Sequence, residues 1–166
     1  MNKIKKEMLA LVGACTQEYG DNFLVPSELN NEFTKILTKT FNIYNDENKL
    51  EKFDLIIEET PSDFIKIYEK LNETGIYITS ADFNNKDLFA NLSKLFYIVM
   101  PYYYINEDGK REELVFASKK IHPTADLIRH RSDFVENSFY YTTDIHLASF
   151  VLPKYIFESL KDVIKL

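Results

Sequence analysis

Phe53-Asp54-Leu55-Ile56-Ile57, followed by Glu58-Glu59-Thr60-Pro61-Ser62-Asp63, is the stretch from which the fold can be read. An apolar run this short, bounded by polar residues and ending in a proline turn, predicts a central strand buried on both faces. Downstream, Ser62 is placed to cap a helix whose inner face is Phe64, Ile65, Ile67, Tyr68 and Leu71, and Gly75 to stop it. Ile76-Tyr77-Ile78-Thr79 then starts another strand, and Asp87 to Phe96 another helix. Strand, helix, strand, helix is the order of crossover units on a mainly parallel sheet. Tyr97 to Ile105 and Leu114 to Ser118, joined through Asp108-Gly109, predict an antiparallel hairpin.

Upstream of Phe53 the same alternation continues. Phe23-Leu24-Val25 predicts a short buried strand, Glu28 to Thr40 a helix through Leu29, Phe33, Ile36 and Leu37, and Phe41 to Tyr44 a second strand. Tyr155 to Ile164 predicts a last short helix. No repeat, low-complexity tract or linker divides the chain, so residues 1–166 are read as one domain.

Composition narrows the function classes. A chain of 166 residues buries about two-thirds of its unfolded surface in one core. Hydrophobic residues at 45% and charged ones at 28% indicate neither disorder nor membrane spanning. The formal net charge of -6 argues against a nucleic-acid partner, which needs a concentrated basic face, and leaves room for a cationic ligand. The single cysteine, Cys15, excludes an intramolecular disulfide and fits a reducing cytoplasm. Met8 to Cys15, behind a lysine-rich start, imitates a lipoprotein signal ending in Val12-Gly13-Ala14-Cys15. Glu7 abuts that run, and the preferred reading is an amphipathic first helix with Leu9 and Val12 inward.

Near the end stands Phe139-Tyr140-Tyr141-Thr142-Thr143-Asp144-Ile145-His146-Leu147-Ala148-Ser149-Phe150-Val151-Leu152-Pro153. This resembles the C-terminal signature of spermidine synthases, the polyamine aminopropyltransferases. Glu7-Met8-Leu9-Ala10 is similar to the helix that precedes their first Rossmann strand, and Leu114 to Lys119 to their closing strand. The resemblance is strongest from about Phe53 to Pro153. It implies an α/β fold with a Rossmann-like, class I methyltransferase-type sheet, mainly parallel with a C-terminal antiparallel hairpin. On this resemblance the N-terminal β domain of the family is expected to be absent.

The resemblance also implies where chemistry would sit. Family members bind decarboxylated S-adenosylmethionine on a Gly-rich loop after the first strand; here that loop reads Val25-Pro26-Ser27-Glu28-Leu29-Asn30, without glycine. The acid that would bind the ribose hydroxyls is nearest to Asp46 or Glu47, whose alternative is a solvated turn. Between there and Phe53 the chain is too short for another strand and helix. The aspartate that serves the family as base aligns with Glu59, so Glu59 is the candidate base that takes a proton from the attacking amine; Asp63 matches the second acid with a one-residue slip. Glu58 and Glu59 read equally as a solvated loop. The family's glutamine falls near Ser80 or Ala81 and is lost. Met100-Pro101-Tyr102-Tyr103 resembles the element whose tyrosine lines the polyamine channel, making Tyr103 the candidate substrate contact, with cross-strand packing as its alternative.

His146 beside aromatics reads as structural, and neither His122 nor His130 has metal-ligand spacing toward it, so no metal site is expected. Two functions remain. The chain is read as a spermidine synthase-like protein that is catalytically impaired or is a non-catalytic homologue with a partner or binding role. The alternative is an active aminopropyltransferase making spermidine from putrescine and decarboxylated S-adenosylmethionine. Family members assemble as dimers or larger oligomers, so a homo-oligomer is expected. A surface lipoprotein is the third reading.

Overall fold

The computed structural model describes residues 1–166. Six strands form one sheet: β1 (Asn22–Leu24), β2 (Asn42–Tyr44), β3 (Phe53–Ile57), β4 (Leu71–Ser80), β5 (Ile98–Ile105) and β6 (Arg111–Ser118). Their order is β2-β1-β3-β4-β6-β5. The first four are parallel, and β6 runs antiparallel to both β4 and β5. All five residues of β3 are buried, as the continuous apolar run requires of a strand covered on both faces. The hairpin closes through Asn106 to Lys110, where Gly109 adopts φ +77°, a left-handed angle that glycine tolerates without strain.

Helices cover both faces. α1 (Lys3–Ala14) lies on one face, packed on β3 and β4. α2 (Phe64–Lys70), α3 (Lys86–Ser93) and α6 (Lys154–Leu160) lie on the other, where Ile67, Phe89 and Leu160 meet Phe53, Ile56 and Val115. The segment after β6, with α4 (Arg129–Ser132) and α5 (Thr143–Ser149), folds back over α1. α1 is therefore buried all round from Glu7 to Ala14, and Cys15 follows as a fully buried C-cap. This corrects the expected one-sided amphipathic helix: a second layer covers the face that would have met water. Cys15 is a free thiol enclosed in the core.

Several expected elements shift. The predicted helix from Glu28 to Thr40 is two single 3-10 turns, Ser27–Leu29 and Phe33–Lys35. Its apolar positions are still drawn inward, but by an aromatic cluster of Phe23, Phe33 and Phe41, and Ile36 bridges to Val135. Leu37, expected inside, is exposed. α2 is capped by Asp63, whose carboxylate accepts from the Ile65 and Lys66 N–H groups, while Ser62 Oγ donates to Glu58 instead. Gly75 does not stop α2. The helix already ends at Lys70, Leu71 opens β4, and a register shift opposite Phe53 and Leu55 carries the strand through Gly75. A Cβ on Gly75 would stand 2.6 Å from Leu71 Cβ, so the irregular strand needs glycine there. The last helix ends at Leu160, which leaves Lys165 free to pair with Val99 on the sheet edge.

Candidate functional site at the carboxyl ends of the strands

In an open parallel sheet, ligands settle outside the carboxyl ends of the strands where the order reverses. Here β1 stands between β2 and β3, and connections run to opposite sides from it. A cavity of about 340 Å³ lies at that place, bounded by Leu24, Val25, Asn45, Ile57, Glu58 and Lys66. Its size is at the small end for a ligand pocket, typically about 300–1,000 Å³.

The two glutamates after β3 part company because successive strand residues point to opposite faces. Glu58 turns toward α2 and lines the cavity. Its Oε1 accepts from Ser62 Oγ at 2.7 Å, and burial raises its pKa above the ordinary carboxylate value. Glu59 lies at the α1 side, where Lys5 Nζ stands 3.7 Å from its Oε1 and close to half of its side chain is in water. The structure thus separates the candidate base from the cavity.

The first loop is closed by its own side chains. Leu29 is buried beneath it. Asn30 and Asn45 exchange a pair of amide hydrogen bonds of 3.1 and 2.8 Å, and Asn45 Nδ2 also donates to the Val25 carbonyl at 2.9 Å. These bonds tie the ends of β1 and β2 together with polar side chains. Asp46 is exposed; its carboxylate accepts from the Asn48 N–H in a local turn and is not among the cavity walls. Glu47 borders the cavity and pairs with Lys66 at 2.9 Å.

Tyr103 is half-buried on the edge strand, separated from β3 by both β4 and β6, and packs on the α2–α3–α6 side. The alternation along β5 puts Tyr102 and Tyr104 on the α1 side, the side of Glu59. Tyr104 is almost fully buried. Burial, followed by the charge of Glu112, pushes its pKa up to about 12, against the opposing hydrogen bond with Asn2. Tyr140 covers it at 6.4 Å between ring centres and accepts from the Ile105 N–H. A smaller cavity of about 180 Å³ opens there, bordered by Tyr103, Tyr104, Tyr140 and Ile145. The sequence did not single out Tyr104; strand alternation counted from buried Tyr102 was the available signal.

The C-terminal signature is explained by packing. The buried Glu7 carboxylate accepts from the N–H groups of Phe139, Tyr140 (2.9 Å) and Tyr141 (2.8 Å) and pairs with Lys35. His146 Nε2 lies 2.8 Å from the Pro123 carbonyl, which can only accept, so Nε2 donates there and Nδ1 accepts a hydrogen bond from the Tyr141 hydroxyl at 2.7 Å. Phe150 stacks on Tyr102 at 4.8 Å. These groups hold the second layer onto α1.

No family model matches the chain. Among curated proteins, the polyamine aminopropyltransferase of Helicobacter acinonychis (strain Sheeba) is 34% identical over 125 residues, 70% of this chain and 48% of that protein. The polyamine aminopropyltransferase of Helicobacter pylori (strain G27) is 31% identical over the same shares. The chain spans about half the length of these curated relatives. Among solved structures, a spermidine synthase in complex with the transition state analogue AdoDATO superposes with a TM-score of 0.71 at 20% identity, covering 96% of this chain and 74% of that one. Spermidine synthase from Thermotoga maritima superposes with a TM-score of 0.70 at 20% identity over the same shares.

The sheet order, the closing hairpin and these superpositions define a Rossmann-like protein of the class I methyltransferase type. Within that class, the chain is similar to the polyamine aminopropyltransferases over 70% of its length and shares its fold with spermidine synthases.

Proposed function

We propose that this chain keeps the aminopropyltransferase frame without the group-transfer reaction and acts as a binding or partner subunit. The supporting observation is the Asn30–Asn45 amide pair. It occupies, with side chains, the strand ends where a glycine loop would let backbone approach a nucleoside. Two further features agree with it. Asp46, the candidate for the ribose hydroxyls, is spent on a surface turn. Glu59, the candidate base, carries a lysine ammonium and stands outside the cavity.

One observation favours the active alternative: Glu58, half-buried beside the cavity with a raised pKa, has the environment of a general base. In that reaction the putrescine nitrogen forms a bond to the aminopropyl carbon next to sulfur. The carbon–sulfur bond breaks with its electron pair going to sulfur, methylthioadenosine leaves, and a carboxylate takes the amine proton.

The two readings separate in one experiment. The purified protein is incubated with putrescine and decarboxylated S-adenosylmethionine, and methylthioadenosine release is followed against a no-enzyme control; titration calorimetry with methylthioadenosine runs in parallel. We expect neither product above the control nor saturable nucleoside binding. Product formation that Glu58→Gln abolishes would establish the alternative.

A further inference from the structure

The two edges of the sheet are not protected alike. On β5, Val99 pairs with Lys165, the Ile105 N–H donates to Tyr140, and Pro101 has no N–H to offer. β2, the opposite edge, has β1 as its one neighbour. The Asn42 N–H donates to the Asp21 carbonyl and the Tyr44 carbonyl accepts from the Val25 N–H, both at 2.9 Å, so these two residues face β1. The residue between them faces the other way, and the Ile43 N–H and C=O point out past the sheet. Natural edges are blunted by lysine, proline or a bulge, and Asn42-Ile43-Tyr44 carries none of these.

Beside that free backbone lies an apolar groove. A cavity of about 250 Å³ is bounded by Phe33, Ile36, Leu37, Phe41 and Ile43, and Leu37 is 59% exposed. One ionic group lines it, Lys39, and Asp21 neutralises that lysine at 2.8 Å. The strand itself is uncharged: Asn42 Nδ2 donates to Asn22 Oδ1, and Tyr44 packs on Phe53 at the other face of the sheet. Charge decides what can cover such a face. A chain of net charge -6 meets its own copy favourably only where like charges do not oppose one another across the axis, and this patch meets that condition.

We infer that β2 is a self-pairing edge and that a second copy of this chain covers it. A two-fold axis normal to the sheet sets β2 antiparallel to its counterpart, with Ile43 opposite its own equivalent. The two exchange both N–H···O=C bonds as a hydrogen-bonded pair, and the two sheets become one. The same axis brings both α1 sides together, so the exposed Leu37 of each copy meets the groove of the other. One patch thus holds both knob and hole, as an isologous contact requires. A strand of three residues offers few backbone bonds, so the apolar contact supplies most of the affinity. The inference goes beyond the reading as a binding or partner subunit and does not depend on whether group transfer is retained.

The test is sedimentation equilibrium of the full chain from micromolar to millimolar concentration. The unaltered chain should pass from monomer to dimer over that range. Leu37→Lys removes the knob and sets two ammonium groups near the axis, so it should weaken dimerisation about tenfold or more. Ile43→Pro removes only the outward N–H, leaves the β1 ladder whole and should weaken the dimer as well. If that variant folds poorly, Leu37→Lys, at an exposed site, carries the test alone. Tyr97→Lys, at a residue 70% exposed on the opposite edge strand's approach, is the control and should leave the dimer constant within about twofold. A chain that stays monomeric throughout leaves the edge to some other partner and overturns the inference. So does a dimer that Leu37→Lys weakens less than about twofold, or one that Tyr97→Lys weakens equally. Methylthioadenosine release by a chain that dimerises in this way would sink the functional proposal and leave this one standing.

Discussion

Glu7 does more structural work than any residue placed at the strand ends. Its carboxylate is fully buried, satisfies three successive N–H groups of residues 139–141 and meets Lys35. Burial alone would raise its pKa, but the backbone donors and Lys35 prevail and the net shift is downward. Replacing one oxygen with an amide nitrogen sets a donor against donors. Glu7→Gln should therefore cost about 3 kcal/mol, the range for stranding buried hydrogen-bonding groups, measured as a fall in the urea midpoint at unchanged slope. A loss below about 0.5 kcal/mol, typical of a surface substitution, would show that the loop is held by packing instead. Glu7 was legible in the sequence as part of a helix motif and the Tyr140-Tyr141 pair as part of a signature. That one clamps the other could not be read, because 132 residues separate Glu7 from Phe139.

At the scale of elements, the strands were more legible than the helices. A strand in this sheet needs only a short apolar run, and Phe53 to Ile57 supplied it. The helix expected from Glu28 failed although its apolar spacing was right, because Leu29, Phe33 and Ile36 reach the core as separate anchors and Asn30 bonds across to Asn45. Periodicity reports which residues go inside, and it does not report whether the backbone between them is helical. The start of α2 gives a clean test of the corrected cap. Asp63→Ala should cost about 1 kcal/mol, the usual value of an N-cap carboxylate, followed as a shift in thermal midpoint. An equal or larger loss in Ser62→Ala, with Asp63→Ala neutral, would restore the cap read from the sequence. The edge strand β5 shows a different economy of contacts. Val99 pairs outward with Lys165, Ile105 N–H meets Tyr140, and between them Pro101 has no N–H to offer, so little of the edge is left to pair with another chain.

At the scale of the whole molecule, burial of polar groups between the sheet and the second layer makes stability depend on pH. His146 is fully enclosed, and desolvation lowers its pKa to about 4 from an ordinary 6.5, with the Pro123 carbonyl opposing. Below pH 6.5 the unfolded chain binds a proton that the folded chain refuses until about pH 4, so stability falls as the pH drops through that window. The loss between pH 7.5 and 5 should be about 2 kcal/mol, read from urea unfolding at the two values. His146→Gln should flatten the dependence; a slope unchanged in that variant would assign it elsewhere. By itself the amino-acid sequence determined the fold class, the central strand, the hairpin and the likeness to polyamine aminopropyltransferases, because short apolar runs and signature residues act locally and repeat within relatives. Only the tertiary structure decided which carboxylate meets the cavity, which tyrosine shares the face of Glu59, and that α1 is covered on every side. These depend on strand parity and on a layer that folds back from more than a hundred residues away, and such contacts leave no periodic trace along the chain.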